Sequence, residues 1–394
     1  MDDYLSVAAT LPKDAAQATL VGRAWLPGEQ GGPAVVAVRG DQLVDLTALV
    51  PTVAELVARD DRVELARSGK GRAIGSLAAI LANSRHDRRK ADTPWLLAPP
   101  DLQAIKAAGV TFVRSMVERV IEERARGDAA AADGIRKRIE QAVGGSLKAI
   151  KPGSEAAAKV KEHLLAEGLW SAYLEVGIGP DAEIFTKCQP MAAVGHGSLI
   201  GLHPRSSWNN PEPEIVLVVA ADGRIVGATL GNDVNLRDFE GRSALLLGKA
   251  KDNNASASLG PFIRLFDEHF GIDDVRGSVI GLEVRGTDGF VLEGQSSMSE
   301  ISRDPTELVA HLTGTHQQYP DGSLLYCGTM FAPTKDRYAK GAGFTHAPAD
   351  LVIIGAEKLG TLANQITTSD KAPPWTFGTG ALMRNLASRG LLRS

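Results

Sequence analysis

Residues 203–261 read HPRSSWNNPEPEIVLVVAADGRIVGATLGNDVNLRDFEGRSALLLGKAKDNNASASLGP. Glu212 and Glu214 sit two residues apart at the entrance to an apolar run, 215–220. Side chains two apart on a strand share a face, so both carboxylates point the same way. A second apolar run spans 224–230. The link between the runs, Ala221-Asp222-Gly223-Arg224, carries the Asp-Gly pair of a tight hairpin turn. Folding back at that turn returns Asp233 to the side of Glu212 and Glu214. Carboxylates held together repel one another unless a cation lies between them. All-oxygen donors suit a hard divalent ion: Mg²⁺, Mn²⁺ or Ca²⁺. Two glutamates on a strand are also the ordinary mark of a solvated face. The third acid and the turn are what favour a metal site.

The chain around this stretch has 394 residues, enough for two domains and a large core. Hydrophobic residues make up 44% and charged ones 23%, an ordinary globular mix. A net charge of −4 argues against a nucleic-acid partner. The two cysteines, Cys188 and Cys327, form no C-x-x-C pair, which fits a reducing compartment. The opening MDDYLSVAATLPKDAAQ lacks a basic region followed by an apolar one, and no window holds 18 consecutive apolar residues. The reading is a cytoplasmic protein without a membrane span. Gly195-x-Gly197 lacks the third glycine and the helix start of a dinucleotide loop.

Residues 1–100 read as a small α+β unit. Short β-like runs fall at 20–26, 34–38 and 42–46, and helical spacing at 52–58, with Thr52 as N-cap, and at 76–83. The charged RHDRRKADTP segment and Pro99-Pro100-Asp101 place a boundary near 85–102, leaving 101–394 as the larger domain. Within 110–126, Val113, Met116, Val117, Val120 and Ile121 have the spacing of an amphipathic helix. The Ala-, Lys- and Glu-rich stretch 128–169 reads as mostly helical and as a cover for an active site or an interface. From Leu174 the pattern turns to β, with runs at 183–187, 273–283, 289–294, 324–329 and 351–354 and a short helix at 305–312. Many short strands between Gly-rich turns give a mainly β, or α+β, fold class.

The order E-P-E, strand, G-x-x-x-G-N-D-V-x-x-R-D, then Ala250-Lys251, then Leu259-Gly260-Pro261, resembles the fumarylacetoacetate hydrolase superfamily. The likeness runs from about residue 104 to the C-terminus. It implies a rolled mixed β-sheet core, a divalent metal on Glu212, Glu214 and Asp233, and Lys251 in the active site, with Lys249 as its competitor. It also implies a homodimer or homotetramer. Hydrolases of this family carry an H-x-x-E dyad after a G-x-N-Y stretch. Here the corresponding residues run from Gly109 to Glu118, with Glu118 in place and Ser115 where the His would stand. Serine does not titrate near neutrality and cannot replace His as a general base.

That departure points to a branch similar to the 2-keto-3-deoxy-pentonate dehydratases, which also have an added N-terminal domain. The implied reaction converts a 2-keto-3-deoxy-pentonate to 2,5-dioxopentanoate. The alternatives are a C–C hydrolase acting on acylpyruvates or 2,4-diketo-3-deoxy sugar acids, and a catalytically silent metal-binding scaffold. In the dehydratase reading Lys251 takes the C3 proton; its plain reading is a salt bridge to Asp233 or Asp252. Glu118, or Glu183 in its stead, serves the C4 hydroxyl. Thr329 and Ser115 contact the substrate, while Lys187, in the Phe185-x-Lys187 element common in the family, and Arg205 bind its anion. Ser296 and Ser297 are weaker candidates for the pocket lining. His196 and His203 read as structural.

Overall fold

The computed structural model describes residues 1–112, 116, 120, 138, 150–331, 335–338 and 343–392. In chain order the strands are β1 (Leu20–Leu26), β2 (Gly32–Arg39), β3 (Gln42–Asp45), β4 (Arg72–Ser76), β5 (Trp95–Leu96), β6 (Ala104–Gly109), β7 (Glu183–Cys188), β8 (Leu199–Leu202) and β9 (Asn209–Asn210). They continue with β10 (Pro213–Val219), β11 (Ile225–Asp233), β12 (Asn235–Leu236), β13 (Ala257–Leu265), β14 (Val279–Arg285), β15 (Val291–Ser297), β16 (Ser323–Tyr326), β17 (Leu351–Ala356) and β18 (Gly360–Thr368). The large sheet runs β4-β3-β2-β1-β13-β11-β10-β16-β6-β7, with β5 attached to β1. A smaller sheet runs β15-β14-β17-β18-β8, and β9 and β12 pair by themselves. The β16–β6 and β18–β8 pairs are parallel and the rest antiparallel, so both large sheets are mixed, as the sequence predicts.

β10 sits at the centre and is buried along its whole length. Its alternation feeds two cores. Ile215, Leu217 and Val219 pack towards the smaller sheet, with Ile280, Leu282, Val352 and Ile354. Val216 and Val218 pack on the other face, with Ile263, Leu324 and Tyr326. Each such side chain fully buried contributes about 1.5–3 kcal/mol. The hairpin from β10 to β11 forms as its sequence predicts: Gly223 at φ +85° occupies the left-handed region that a Cβ disfavours.

The N-terminal strands follow their predicted positions closely. Thr52 caps the helix Val53–Ala58 by accepting from Glu55 N–H, and Ser76 caps Leu77–Asn83. β1 pairs antiparallel with β13, Val21 facing Ile263, so the strands of residues 1–100 continue the sheet that carries β10 and β11. His196 ties the first residues down. Its Nε2 lies 3.1 Å from Tyr4 O and 3.3 Å from Thr10 Oγ1, and its Nδ1 accepts from Ala363 N–H.

Two expectations change. The run 273–283 is not one strand: Ile272–Arg276 is a helix, and β14 begins only at Val279. Asp274 accepts from Gly271 N–H at 2.8 Å and so caps the helix locally. The strand expected at 324–329 ends at Tyr326. Most of the 110–126 helix lies outside the described residues. Met116 and Val120 are helical and buried there, whereas Val110, at φ +55°, is not helical.

Candidate active site

The β10–β11 register places the acids. Pro213 faces Asn232 and Glu214 faces Gly231, and Asp233 N–H donates to Glu212 O at 3.0 Å. Directly opposed residues share a face. Glu212, Glu214 and Asp233 therefore project together at the ends of the two strands. All three are buried, and their carboxylate oxygens lie within 4.8 Å of one another. Asn232 stiffens the strand end by accepting from Glu212 N–H at 3.0 Å.

Two lysines meet these acids. Lys251 ends the helix Leu247–Lys251 and reaches Glu212 Oε2 at 2.6 Å and Asp233 Oδ2 at 3.0 Å. Lys187, fully buried, sits 2.9 Å from Asp233 Oδ1 and donates to the carbonyls of Val234 and Lys251. The Lys187–Asp233 contact has charge proximity without good hydrogen-bond geometry, so Oδ1 lacks a hydrogen-bond partner. Burial opposes the charged form of Asp233, but Lys187 and Lys251 outweigh it and hold the carboxyl below its ordinary range. Glu214 goes the other way. Burial, then the charges of Asp233 and Glu212, push it well above the usual carboxylate range, despite Lys251 and a 2.6 Å hydrogen bond from Gly328 N–H. Three buried oxygen-donor acids gathered at one point, one of them favouring its proton, fit a hard divalent ion. Glu212, Glu214 and Asp233 would hold it.

These residues floor a small cleft that is open to solvent at its mouth. Glu183, Phe185, Glu240, Leu247 and Thr329 complete much of its wall. One face of β7 supplies Glu183 and then Phe185 to the cleft. The Lys251 ammonium lies 5.6 Å from the Phe185 ring centre. Glu183 packs over Gly109, where a Cβ would run into its carboxylate. Thr329 is buried, and its Oγ1 accepts from Phe331 N–H.

The structure thus gathers Glu212, Glu214, Asp233, Lys251, Glu183 and Thr329 in one place. Lys249 is exposed, which separates it from Lys251. Lys187 lies behind Asp233 rather than in the cleft wall, with its ammonium committed to Asp233 and two carbonyls. Arg205 is exposed and away from the cleft lining. Ser296 is buried and accepts from Met330 N–H, while Ser297 bonds Ser299, and neither lines the cleft. His203 packs on Phe239, with ring centres 5.1 Å apart. Ser115 and Glu118 lie outside the described residues. Sequence reasoning missed Glu240, whose carboxylate accepts from Asn235 Nδ2 at 2.5 Å. Its only signal was a position seven residues after Asp233, at the end of a single turn of helix.

Residues 175–367 match the family model described as fumarylacetoacetate (FAA) hydrolase C-terminal. The chain carries a fumarylacetoacetate hydrolase domain. The acids, Lys251 and the cleft wall from Glu183 to Thr329 all fall within it. Over 196 residues the chain is 31% identical to a probable 2-keto-3-deoxyxylonate dehydratase of Haloferax volcanii, covering 50% of this chain and 64% of that protein. Over 184 residues it is 31% identical to the 2-dehydro-3-deoxy-D-arabinonate dehydratase of Saccharolobus solfataricus, covering 47% and 58%. The matched stretch therefore spans less than two thirds of either relative. A solved structure of 2-keto-3-deoxy-D-arabinonate dehydratase complexed with magnesium and 2,5-dioxopentanoate superposes with a TM-score of 0.60. It is 20% identical and covers 89% of this chain and 99% of that one, a likeness of fold. The fumarylacetoacetate hydrolase domain and its mixed-sheet fold agree with the reading of 203–261. No helix among the described residues is long and apolar enough to cross a membrane.

Proposed function

We propose that this chain is a metal-dependent hydro-lyase that converts a 2-keto-3-deoxy-pentonate to 2,5-dioxopentanoate. One observation carries the reading: three buried carboxylates with oxygens within 4.8 Å of one another share one cleft with the Lys251 ammonium, which lies 2.6 Å from Glu212 and 3.0 Å from Asp233. The names of the two curated relatives support it. When bound, a divalent ion, Mg²⁺ for preference, supplies the Lewis acidity that makes C3 of a 2-oxo acid acidic.

The remaining work falls to side chains. Lys251 takes a proton from C3. A dication beside it would favour the amine form that this role needs. Glu183 gives a proton to the C4 hydroxyl, which leaves as water, and a C3=C4 double bond forms. Glu183 then takes a proton from C5, and Lys251 returns its own to C3. The enol that results at C4–C5 tautomerises to the C5 aldehyde, so the net change is loss of one water. Thr329 hydrogen-bonds the substrate carboxylate. Phe185 and Leu247 keep bulk water from the reacting carbons. Lys187 positions Asp233 and the end of the Lys251 helix.

Purified protein with Mg²⁺ should be offered 2-keto-3-deoxy-D-arabinonate and acetylpyruvate in parallel. The proposal expects aldehyde from the first and no pyruvate from the second. Pyruvate release from acetylpyruvate without aldehyde formation would replace the lyase with a C–C hydrolase.

A further inference from the structure

Glu214 Oε2 accepts from Gly328 N–H at 2.6 Å. The same peptide unit carries the Cys327 carbonyl, which accepts from the Thr111 hydroxyl at 2.6 Å. Thr111 and Glu214 thus grip one peptide from its two ends. Cys327 and Gly328 follow directly on β16, and Thr111 lies two residues past β6. Those strands pair in parallel, Tyr326 opposite Ala107, so their exits lie side by side. Gly328 stands at φ +88°, and a Cβ there would run into the Thr111 hydroxyl. Thr111 is buried, and its own carbonyl accepts from Ser302 N–H and Ser302 Oγ–H, each at 2.8 Å. The threonine is therefore pinned on its far side as well. A hydrogen bond to a carbonyl oxygen polarises the N–H of the same peptide and strengthens it as a donor. A carboxylate already held by a donor loses less freedom when an ion binds to it.

We infer that Thr111 is a positioning residue for the metal site: its hydroxyl sets the Cys327–Gly328 peptide so that Gly328 N–H holds Glu214 beside Glu212 and Asp233. The inference rests on reading the three acids as a metal site. It adds a buried hydroxyl outside the cleft lining that raises the affinity for the ion.

The test is calorimetric titration of Mg²⁺ into the full chain, comparing wild type with Thr111→Ser, Thr111→Cys and Thr111→Val, with urea midpoints measured alongside. T111S keeps the hydroxyl, T111C offers only a weak donor, and T111V removes the donor at nearly constant size. Affinity should stay within about threefold of wild type in T111S and fall about tenfold in T111V, the scale of one hydrogen bond, with T111C between. Should T111V fail to fold, T111S against T111C makes the same comparison. A merely structural Thr111 would lower the urea midpoint and leave Mg²⁺ affinity unmoved, which would overturn the inference. An equal loss of affinity in T111S and T111V would overturn it too, because the hydroxyl would then not be the cause. Absence of Mg²⁺ binding to wild type would overturn the metal-site reading itself, and the inference with it.

Discussion

Lys187 buries its ammonium 2.9 Å from Asp233 Oδ1, with both side chains closed off from solvent. Attraction between the charges offsets the cost of burying each, and removing one partner strands the other. Lys187→Met is therefore expected to destabilise the metal-free protein by about 3–5 kcal/mol. Urea unfolding followed by tryptophan fluorescence measures this. A loss below about 0.5 kcal/mol, the scale of an exposed pair, would contradict the positioning role.

Glu214 holds its proton above the usual carboxylate range because it is buried beside Asp233 and Glu212. An ion on the three acids must expel that proton. Mg²⁺ binding should therefore release protons, and its affinity should rise with pH until Glu214 ionises unaided. Titrations in buffers of different ionisation enthalpy count the protons. No release, with an affinity flat in pH, would be inconsistent with this account.

His196 is fully enclosed, and burial lowers its pKa from the ordinary 6.5 to about 4. The unfolded chain takes the proton below about pH 6.5 while the folded one refuses it until about pH 4. Stability should accordingly be full above pH 6.5 and decline by about 3 kcal/mol as the pH falls to 4. Urea midpoints of wild type and His196→Gln across this window provide the check. The variant should lose this component of the pH slope, and a slope equal to that of wild type would refute the assignment.

Gly109 leaves the space that the Glu183 carboxylate fills. Gly109→Ala should push Glu183 aside while leaving the three acids in place. The expected result is Mg²⁺ affinity within about twofold of wild type and turnover lowered about 100-fold, the worth of a displaced acid–base group. Unchanged turnover would remove Glu183 from the mechanism.

The acids were legible because strand alternation and a two-residue turn fix a register, and the register fixes which side chains meet. Lys251 was favoured over Lys249 by the family resemblance, and the structure adds the physical reason. Residues two apart on a helix point to nearly opposite sides, so one of Lys249 and Lys251 had to be exposed, and spacing alone does not say which. Lys187 was legible as a cation but not as a buried one, since its depth depends on the end of the Lys251 helix packing across β7. Glu240 depends on a single turn of helix with no hydrophobic period to announce it. The helix Ile272–Arg276 was hidden for a related reason: its apolar neighbours suit a strand, and one carboxylate on the Gly271 N–H decides against it.

The central claim is that Glu212, Glu214 and Asp233 jointly hold one dication. Calorimetric titration of Mg²⁺ into wild-type protein and Asp233→Ala tests it most directly. The account predicts one ion per wild-type chain and no measurable binding to the variant. Equal heats and stoichiometry in the two proteins would contradict it.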